Sequence, residues 1–328
     1  MDQFAIGVDL GGTSIKCALV SREHGLVHTA HCDTEADRGP RAVLANMAGL
    51  VRRSLDRAEA PVIGVGVGSP GIINWDRTTV SQPPNLPGWT SIHLGDALSP
   101  LLGTPIRVLV ENDANAAGLG CAHYGVGKRF DSFIMVTLGT GVGGAIIYRN
   151  RIFRGATGGA GELGHMTIDY DGPPDNHDIS GASEAYLGQR FLSAHAARMA
   201  RQNPASSLNE VLASNGELEP KLIYDAAVQG DETASEVLNW AGHKLGVLLG
   251  SAVNLLDIRK FVVGGGLSAA GEFIFDAARS TILQYVTHGL RDGIEIIQEP
   301  RGNEVGVLGA AHLVFHDADD RSASGTSA

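Results

Sequence analysis

Cysteine is scarce in this sequence, and basic residues are outnumbered by acidic ones. The 328 residues include three cysteines, Cys17, Cys32 and Cys121, without the close spacing of a disulfide framework or a thiolate zinc site. Lysine and arginine number 25 against 36 aspartates and glutamates, a net charge of -11, so no basic surface for nucleic acid is predicted. We expect a protein of the reducing cytoplasm that does not bind nucleic acid.

Long hydrophobic runs are also missing. The most apolar stretches, such as "IMVTLGTGVGGAII", are too short and too rich in glycine and threonine to span a bilayer. The first residues, "MDQFAIGVDLGG", resemble neither a signal peptide nor a transit peptide. No membrane partner is expected, and a chain of this length with 43% hydrophobic residues predicts two globular domains.

Glycine, in contrast, is abundant: 44 of the 328 residues are glycine, about twice the usual share of roughly 7%. The segment "FAIGVD" (4–9) predicts a strand that turns through "LGGTS" into a second strand, "IKCALV". Residues 134–148 repeat this hairpin as "IMVT", "LGTGVGG" and "AIIY". Two further strands, in "VIGVGVGSPG" (62–71) and "FVVGGGLS" (261–268), also run into glycine turns.

These repeated patterns predict an internally duplicated chain of mixed α/β structure. The break between the two halves falls near residues 115–130. Helical segments separate the strands, and the clearest runs from Asp231 to Leu256, where apolar residues recur at spacings of three and four.

The glycine turns suggest phosphate binding. "GTGVGG" (139–144) fits G-x-G-x-x-G, but a strand follows it where a dinucleotide fold needs a helix, and no P-loop motif is present. Any one turn could be a plain hairpin turn. Two such turns in equivalent positions of a duplicated chain, with a third glycine loop, favour a bound nucleotide whose phosphates contact backbone N–H groups. The predicted nucleotide residues are Asp9, Gly11, Gly12, Thr13, Lys16, Gly139, Thr140, Gly141, Gly265 and Gly266.

Within this set, two charged residues have separate predicted tasks. Asp9, at a strand end, would hold a hydrated Mg²⁺ ion, and Lys16 would lie near the phosphates.

Seven motifs together resemble the ROK family of sugar kinases and repressors, over about residues 4 to 315. They are "VDLGGTSIK", "SPGIIN", "PNLPGW", "VENDANAAGLG", "TLGTGVGGAII", "GELGH" and "VVGGGL". The resemblance implies a duplicated actin-like and hexokinase-like (ribonuclease H-like) two-domain ATPase fold, with a hexose in the interdomain cleft. ATP and Mg²⁺ are the implied cofactors, and a homodimer or higher homo-oligomer is the implied assembly.

The domain boundaries follow from this fold. We expect an N-terminal domain at 1–118 and a C-terminal domain at 119–315. A last helix at about 304–315 would pack back on the first domain. The polar tail 316–328 is predicted to be disordered.

The resemblance also implies the sugar site. Asp113 would be the catalytic base, and its place at a helix N-terminus favours the ionised carboxylate. From spacing alone, the favoured interpretation is that Asn112 or Asp113 is only a helix N-cap. Glu162 and His165, three residues apart, should lie on one side of a helical turn. The implied sugar-binding residues are Gly71, Asn85, Asn112, Asp113, Glu162, His165 and Glu184.

ROK members usually bind a structural zinc through the histidine of "GH" and three cysteines. Here Asp175, His177 and Ala182 stand where those cysteines would be. Asp175, His177 and His165 could supply an oxygen and nitrogen site for zinc. A structural zinc site needs four ligands, and Ala182 supplies none, so no structural zinc is expected. Cys121 stands where many relatives carry glutamate, and the sequence indicates no role for it.

The resulting hypothesis is an ATP- and Mg²⁺-dependent kinase that phosphorylates the 6-hydroxyl of a hexose, with D-glucose the first choice. Fructose, mannose, allose or N-acetylmannosamine as acceptor, and polyphosphate as donor, stay open. The repressors of the family carry an N-terminal helix-turn-helix, for which "GVDLGGT" at residue 7 leaves no room. A non-catalytic sugar sensor is the other alternative, and the presence of Asp9, Asp113 and both glycine turns weakens it.

Overall fold

The computed structural model describes residues 2–323, and the chain divides into two compact units. The described part of unit 1 comprises residues 2–131, 146–161 and 303–323. Unit 2 comprises Ser132–Ala145 and Glu162–Gly302. Each unit combines strands with helices, which confirms the predicted mixed α/β fold.

Strands and helices alternate along much of the chain. The strands are β1 (Phe4–Leu10), β2 (Ser14–Ser21), β3 (Gly25–Asp33), β4 (Val62–Ser69), β5 (Ile72–Ile73), β6 (Thr79–Ser81), β7 (Ser91–His93), β8 (Val108–Asn112), β9 (Phe133–Leu138), β10 (Val142–Tyr148), β11 (Arg151–Ile152), β12 (Lys260–Gly264) and β13 (Glu295–Gln298). The α-helices are α1 (Pro40–Leu55), α2 (Leu94–Leu102), α3 (Asp113–Tyr124), α4 (Glu184–Leu187), α5 (Gln189–Gln202), α6 (Leu208–Asn215), α7 (Pro220–Val228), α8 (Glu232–Leu256), α9 (Glu272–Tyr285) and α10 (Glu304–Ala323). Short 3₁₀ helices lie at Ala36–Arg38, Val126–Arg129, Leu163–His165, Gly266–Ala270 and His288–Leu290.

None of the helices in residues 2–323 combines the length and the apolar character that crossing a bilayer requires. The longest, α8, confirms the predicted helix, and its preceding residue Asp231 accepts a hydrogen bond from the N–H of Ala234 as the N-cap.

The main sheet of unit 1 has the strand order β3-β2-β1-β4-β8. The predicted hairpin is present, because β1 and β2 pair antiparallel, with Asp9 opposite Lys16. β1, β4 and β8 are parallel neighbours, so their carboxyl ends meet at one edge of the sheet. At this edge Asp9 pairs with Gly68, and Ser69 pairs with Asn112. The topology therefore gathers three of the predicted motifs at one place.

The second five-stranded sheet repeats this arrangement. β10 neighbours β9, β9 is parallel to β12, and β12 is parallel to β13. The order β10-β9-β12-β13 matches β2-β1-β4-β8 of unit 1, as the predicted duplication requires.

Helix α10 packs on the sheet and on α3 within unit 1, with backbone in contact with backbone. A Cβ placed on Gly66 would lie 1.8 Å from the carbonyl oxygen of Ala310, and one placed on Gly309 would lie 1.7 Å from that of Ala116. Only glycine permits such close approach. The contact holds α3 against α10, and it is α3 that carries Asp113 at its first position.

Two predicted boundaries are wrong. The boundary at 118 falls inside α3, and unit 1 continues to Asp131. The last helix does not end at 315 but continues to Ala323, so residues 316–323 are helical rather than disordered. Residues 324–328 of the predicted tail lie outside the described residues.

The extra turns of α10 make long-range ion pairs. Three aspartates of this helix pair with arginines elsewhere in unit 1: Asp317 with Arg107 at 2.8 Å, Asp319 with Arg22 at 2.7 Å and Asp320 with Arg151 at 3.0 Å.

Candidate functional site

Asp9 lies at the carboxyl edge of the unit 1 sheet, beside the start of α3. A Cβ placed on its strand partner Gly68 would lie 3.6 Å from the Cα atom of Asp113. Burial raises the pKa of Asp9 to about 6, Lys16 opposes this rise, and the charge of Asp113 adds to it. A desolvated carboxylate near a second acid gains from a bound cation, so this residue fits the predicted Mg²⁺ site.

Asn112 is the N-cap of α3, one of the two interpretations that the sequence allowed for this residue. Its Oδ1 accepts hydrogen bonds from the N–H groups of Ala114 at 3.0 Å and Asn115 at 3.2 Å. Its Nδ2 donates to the carbonyl oxygen of Gly71 at 3.4 Å. Capping and sugar binding are compatible, because the amide has a second N–H to donate.

Asp113 occupies the first position of α3 and keeps part of its side chain exposed to solvent. Desolvation by the surrounding protein raises the pKa of its carboxyl, although the N–H groups of Ala114 and of Asp113 itself oppose the rise. A raised pKa makes the carboxylate a better proton acceptor, as a general base requires.

Sequence reasoning missed the acid that holds this helix start, Glu111. Its side chain is fully buried, and Oε1 accepts from the N–H of Asn112 at 3.0 Å and from Nδ2 of Asn115 at 3.3 Å. Its Oε2 accepts from Nε of Arg77 at 3.0 Å and forms an ion pair with Arg154. The signal for it was a lone acid at the end of the apolar strand "RVLVEN".

The first glycine turn meets the loop of "PNLPGW" within unit 1. A Cβ placed on Gly12 would lie 2.8 Å from Cβ of Asn85, so only glycine leaves room there. Thr34 holds the turn on its other side, because its hydroxyl donates to the carbonyl oxygen of Gly11 and its N–H donates to that of Thr13. The structure thus places a predicted nucleotide residue against a predicted sugar residue.

In unit 2, the second glycine turn adjoins the third glycine loop. The N–H of Gly139 donates to the carbonyl oxygen of Gly141 at 3.0 Å, which closes the turn around Thr140. A Cβ placed on Gly265 would lie 2.3 Å from the carbonyl oxygen of Leu138, the residue before this turn, and Gly266 follows at the start of a 3₁₀ helix. The predicted nucleotide residues of unit 2 therefore form one cluster.

Glu184 also reaches this turn. The residue is 8% exposed, and its Oε2 accepts from the N–H of Val142 at 2.9 Å. A Cβ on Gly141 would come within 2.4 Å of the same oxygen, which explains glycine there. Its Oε1 accepts from Nδ2 of Asn176 at 3.0 Å. The structure brings this predicted sugar residue to the glycine turn of unit 2, a contact that its position in the sequence did not indicate.

Glu162 and His165 lie on one side of a short turn, as predicted, although the turn is 3₁₀ rather than α-helical. Oε2 of Glu162 is 4.0 Å from Nε2 of His165. The turn packs closely against β10, because a Cβ placed on Gly164 would lie 2.1 Å from the carbonyl oxygen of Val142.

The residues that stand at the expected zinc-ligand positions do not fit a zinc ion. Both oxygens of Asp175 are already used: Oδ1 accepts from the N–H groups of His177 and Ile179, and Oδ2 lies 2.8 Å from Nδ1 of His165. Ala182 is completely buried and has no ligand atom. Across residues 2–323, no group of three or more His, Cys, Asp or Glu side chains is arranged to hold a metal.

Cys121, for which the sequence indicated no role, has a structural one. It is buried in α3, and its Sγ accepts a hydrogen bond from the N–H of Gly127 at 3.3 Å. This bond ties the following 3₁₀ helix to the end of α3.

Comparison with known proteins agrees with this arrangement. The sequence pattern of the ROK family matches residues 5–317. Glucokinases of Streptomyces coelicolor and Thermotoga maritima are 35% and 31% identical to this chain, in each case over 94% of it and 96% of the relative. A xylose repressor of Bacillus subtilis is 25% identical over 95% of this chain and 77% of its own length. The solved ROK glucokinase of Streptomyces griseus, in complex with glucose and AMPPNP, superposes with a TM-score of 0.82 at 31% identity, covering 95% of this chain and 99% of its own.

Proposed function

This chain belongs to the ROK family, and on that premise we propose that it is a sugar kinase that transfers the γ-phosphoryl group of ATP to the 6-hydroxyl of a hexose. We propose D-glucose as the preferred acceptor, because the glucokinases among its relatives are the more similar ones. The observation that carries the kinase proposal is the placement of Asp9 and Asp113 at one sheet edge. A kinase site needs one carboxylate to hold Mg²⁺ and one to accept the proton of the sugar hydroxyl, and these two residues can supply both.

Asp113 is the proposed catalytic base. Phosphoryl transfer passes through a loose transition state, so a carboxylate that orients the sugar hydroxyl and takes its proton late supplies the main protein chemistry. The raised pKa of Asp113 suits this step, since a stronger base accepts the proton more readily. Glu111 and the N-cap Asn112 keep the start of α3, and hence Asp113, in place.

Asp9 is the proposed residue for holding Mg²⁺ through a water molecule. The ion, when bound, neutralises charge on the phosphates of ATP. Lys16, opposite Asp9 on β2, adds a fixed positive charge near the same place.

The remaining residues are proposed to bind the two substrates. Sugar hydroxyls need directed donors and acceptors, which carboxylate, amide and imidazole groups provide. We propose that the sugar contacts Gly71, Asn85, Asn112, Asp113, Glu162, His165 and Glu184. We propose that ATP contacts the turns at Gly11–Thr13 and Gly139–Gly141 and the loop at Gly265 and Gly266.

The test is ATP turnover with Mg²⁺ against glucose, mannose, fructose, allose and N-acetylmannosamine. We expect turnover with glucose, and a loss of about 1,000-fold or more in kcat for Asp113→Asn, because removal of a general base typically costs 10²–10⁴. Asp96→Asn is the matched control, since Asp96 is also in the first turn of a unit 1 helix but is 85% exposed.

Sugar binding is measured separately by calorimetry. Asp113→Asn should bind glucose within about threefold of the unmodified chain, since a proton acceptor acts in the transition state rather than in ground-state binding. Wild-type kcat in this variant contradicts the role of Asp113. Sugar binding without turnover on any acceptor contradicts the kinase proposal and favours a sugar-sensing regulator.

A further inference from the structure

We propose that two adjacent residues, Asp175 and Asn176, hold the sugar-binding side chains His165 and Glu184 through hydrogen bonds, so that this loop works without a metal ion. The inference rests on the proposed function, in which His165 and Glu184 contact the sugar. It assigns positioning roles to two residues, neither of which touches the reacting atoms.

The carboxylate of Asp175 is a hydrogen-bond acceptor that the surrounding backbone holds in a fixed orientation. Its side chain is fully buried, and two backbone N–H groups, those of His177 and Ile179, bind Oδ1 at 2.8 and 2.9 Å. The other oxygen, Oδ2, is thereby aimed at Nδ1 of His165, 2.8 Å away. Burial raises the pKa of Asp175, but the hydrogen bonds from Ile179, His165 and His177 outweigh it and lower the pKa below its usual value.

This contact selects the state of the His165 ring. An ionised carboxylate only accepts hydrogen bonds, so Nδ1 must carry the proton that it donates to Asp175. In the neutral ring, Nε2 is then the acceptor, and it lies on the side of Glu162. A sugar hydroxyl can donate to Nε2 of His165 and a neighbouring hydroxyl to the carboxylate of Glu162.

Other contacts hold this loop in one conformation without a ligand. The ring of His177 stands edge-on to the ring of His165, with 4.6 Å between centroids, and limits its rotation. The buried hydroxyl of Ser183 reaches back to the carbonyl oxygens of Leu163 at 2.8 Å and Gly164 at 3.1 Å, which anchors the turn that carries His165. These bonds fix the position of the loop, which is the effect that coordination to a single metal ion would have.

Asn176 holds the second sugar residue. Its Nδ2 donates to Oε1 of Glu184 at 3.0 Å, while the N–H of Val142 donates to Oε2. The buried carboxylate is thus fixed at both ends, one end by the loop and the other by the glycine turn. A buried carboxylate that loses one of two donors is left partly unsatisfied and free to rotate.

The first test measures the positioning itself and needs neither substrate. Hydrogen–deuterium exchange is followed by mass spectrometry for the unmodified chain, Asp175→Asn and Asn176→Ala. We expect faster exchange of residues 163–167 in Asp175→Asn and of residues 184–188 in Asn176→Ala. Asp178→Asn is the matched control, because Asp178 is exposed in the same loop, and asparagine suits its left-handed backbone, φ 61°.

The second test measures sugar and metal. Asp175→Asn should raise KM for glucose about 10-fold or more, because loss of a group that orients a histidine has an effect of this size in metal sites. KM for ATP should stay unchanged in this variant. In the control Asp178→Asn, KM for glucose should also stay unchanged. Metal analysis of the purified protein should return no bound zinc, and activity should survive a zinc chelator with Mg²⁺ restored.

The outcomes separate the two proposals. Stoichiometric zinc in the unmodified chain, or equal exchange in Asp175→Asn and Asp178→Asn, overturns the inference. Absence of sugar-dependent turnover in the unmodified chain overturns the proposed function, and in that case the exchange experiment still decides whether Asp175 and Asn176 hold their partners.

Discussion

Arg154 and Glu111 form a buried ion pair directly behind the start of α3, with 2.9 Å between Nε and Oε2 and side-chain exposures of 5% and 1%. The same guanidinium donates to the carbonyl oxygens of Trp75 at 2.6 Å and Asn74 at 2.9 Å. Arg154 therefore joins the residue before Asn112 to the chain segment that follows Gly71. Two of the proposed sugar contacts are connected through this pair.

Replacing Arg154 with methionine should both destabilise unit 1 and impair catalysis. Removing one partner of a buried pair leaves an uncompensated charge and costs about 3–5 kcal/mol in the free energy of unfolding. Arg77 still faces Glu111, so we expect the lower end of that range. Because Glu111 holds the N–H of Asn112, kcat should also fall. Urea unfolding and ATP turnover measure the two effects.

Arg151→Met is the control for this substitution. Arg151 also pairs with an acid of unit 1, Asp320, but the two side chains are 63% and 49% exposed. An exposed pair contributes about 0–1 kcal/mol, so the control should change little. Equal losses for the two variants would contradict the special role of Arg154.

Asp9→Asn should stabilise the protein without Mg²⁺ while abolishing turnover. The folded pKa of about 6 lies above the ordinary 3.8, so the folded chain holds a proton that the unfolded chain releases as pH rises between these values. Ionised Asp9 therefore costs stability above this range, by up to about 3 kcal/mol. The increase in the free energy of unfolding caused by Asp9→Asn should grow from pH 4 to pH 6 and stay constant above pH 7.

Urea unfolding at several pH values, without and with Mg²⁺, checks this prediction. Mg²⁺ should narrow the difference between the two proteins, because only the aspartate binds the ion. A variant that is less stable than the unmodified chain at pH 8 without Mg²⁺ would contradict it.

A histidine cluster in unit 1 should make the protein sensitive to mild acid. His312 stacks on His123 with 3.6 Å between ring centroids, and burial together with His123 and His316 lowers the pKa of His312 to about 3. The unfolded histidine, with an ordinary pKa of 6.5, binds the proton first, so stability is lost as pH falls below 6.5.

His312→Phe should remove this part of the acid sensitivity. Between pH 7.5 and pH 5.5 the unmodified chain should lose about 1.4 kcal/mol more than the variant, the contribution of one proton. At pH 7.5 the variant should be slightly less stable, because His312 hydrogen-bonds the hydroxyl of Tyr124. Parallel stability curves for the two proteins across this range would exclude His312 as a source of acid sensitivity.

Local patterns predicted much of the fold. The hairpin at β1 and β2, the strand-to-glycine turns and the helix after Asp231 depend on residues that are close in sequence, where period and turn chemistry act. The start of α3 was predictable for the same reason, because Asn112 caps a helix whose partners are two and three residues away.

Contacts between distant segments were not predictable in this way. Nothing in "RVLVEN" shows that Glu111 meets Arg154, and nothing in "PPDNHD" shows that Asp175 binds His165 rather than solvent. In each case a charged residue is buried beside a partner that lies far from it in the sequence or across a loop. The polar end of α10 is a similar case, because its aspartates pair with arginines far away in the sequence.

Ending the chain at Phe315 should destabilise unit 1 relative to a chain that ends at Ala323. The lost turns carry the aspartates that pair with Arg22, Arg107 and Arg151. Each pair is partly exposed and contributes about 0.2–1 kcal/mol, so the three pairs together contribute about 0.6–3 kcal/mol before the entropy of ordering is subtracted. Ordering two polar turns costs entropy, and the ion pairs must exceed that cost for the helix to extend this far. If they do, 1 M NaCl, where the Debye length is about 3 Å, should reduce the difference in unfolding free energy between the two chains. A difference that salt leaves unchanged would mean that packing, rather than charge, holds the end of the helix.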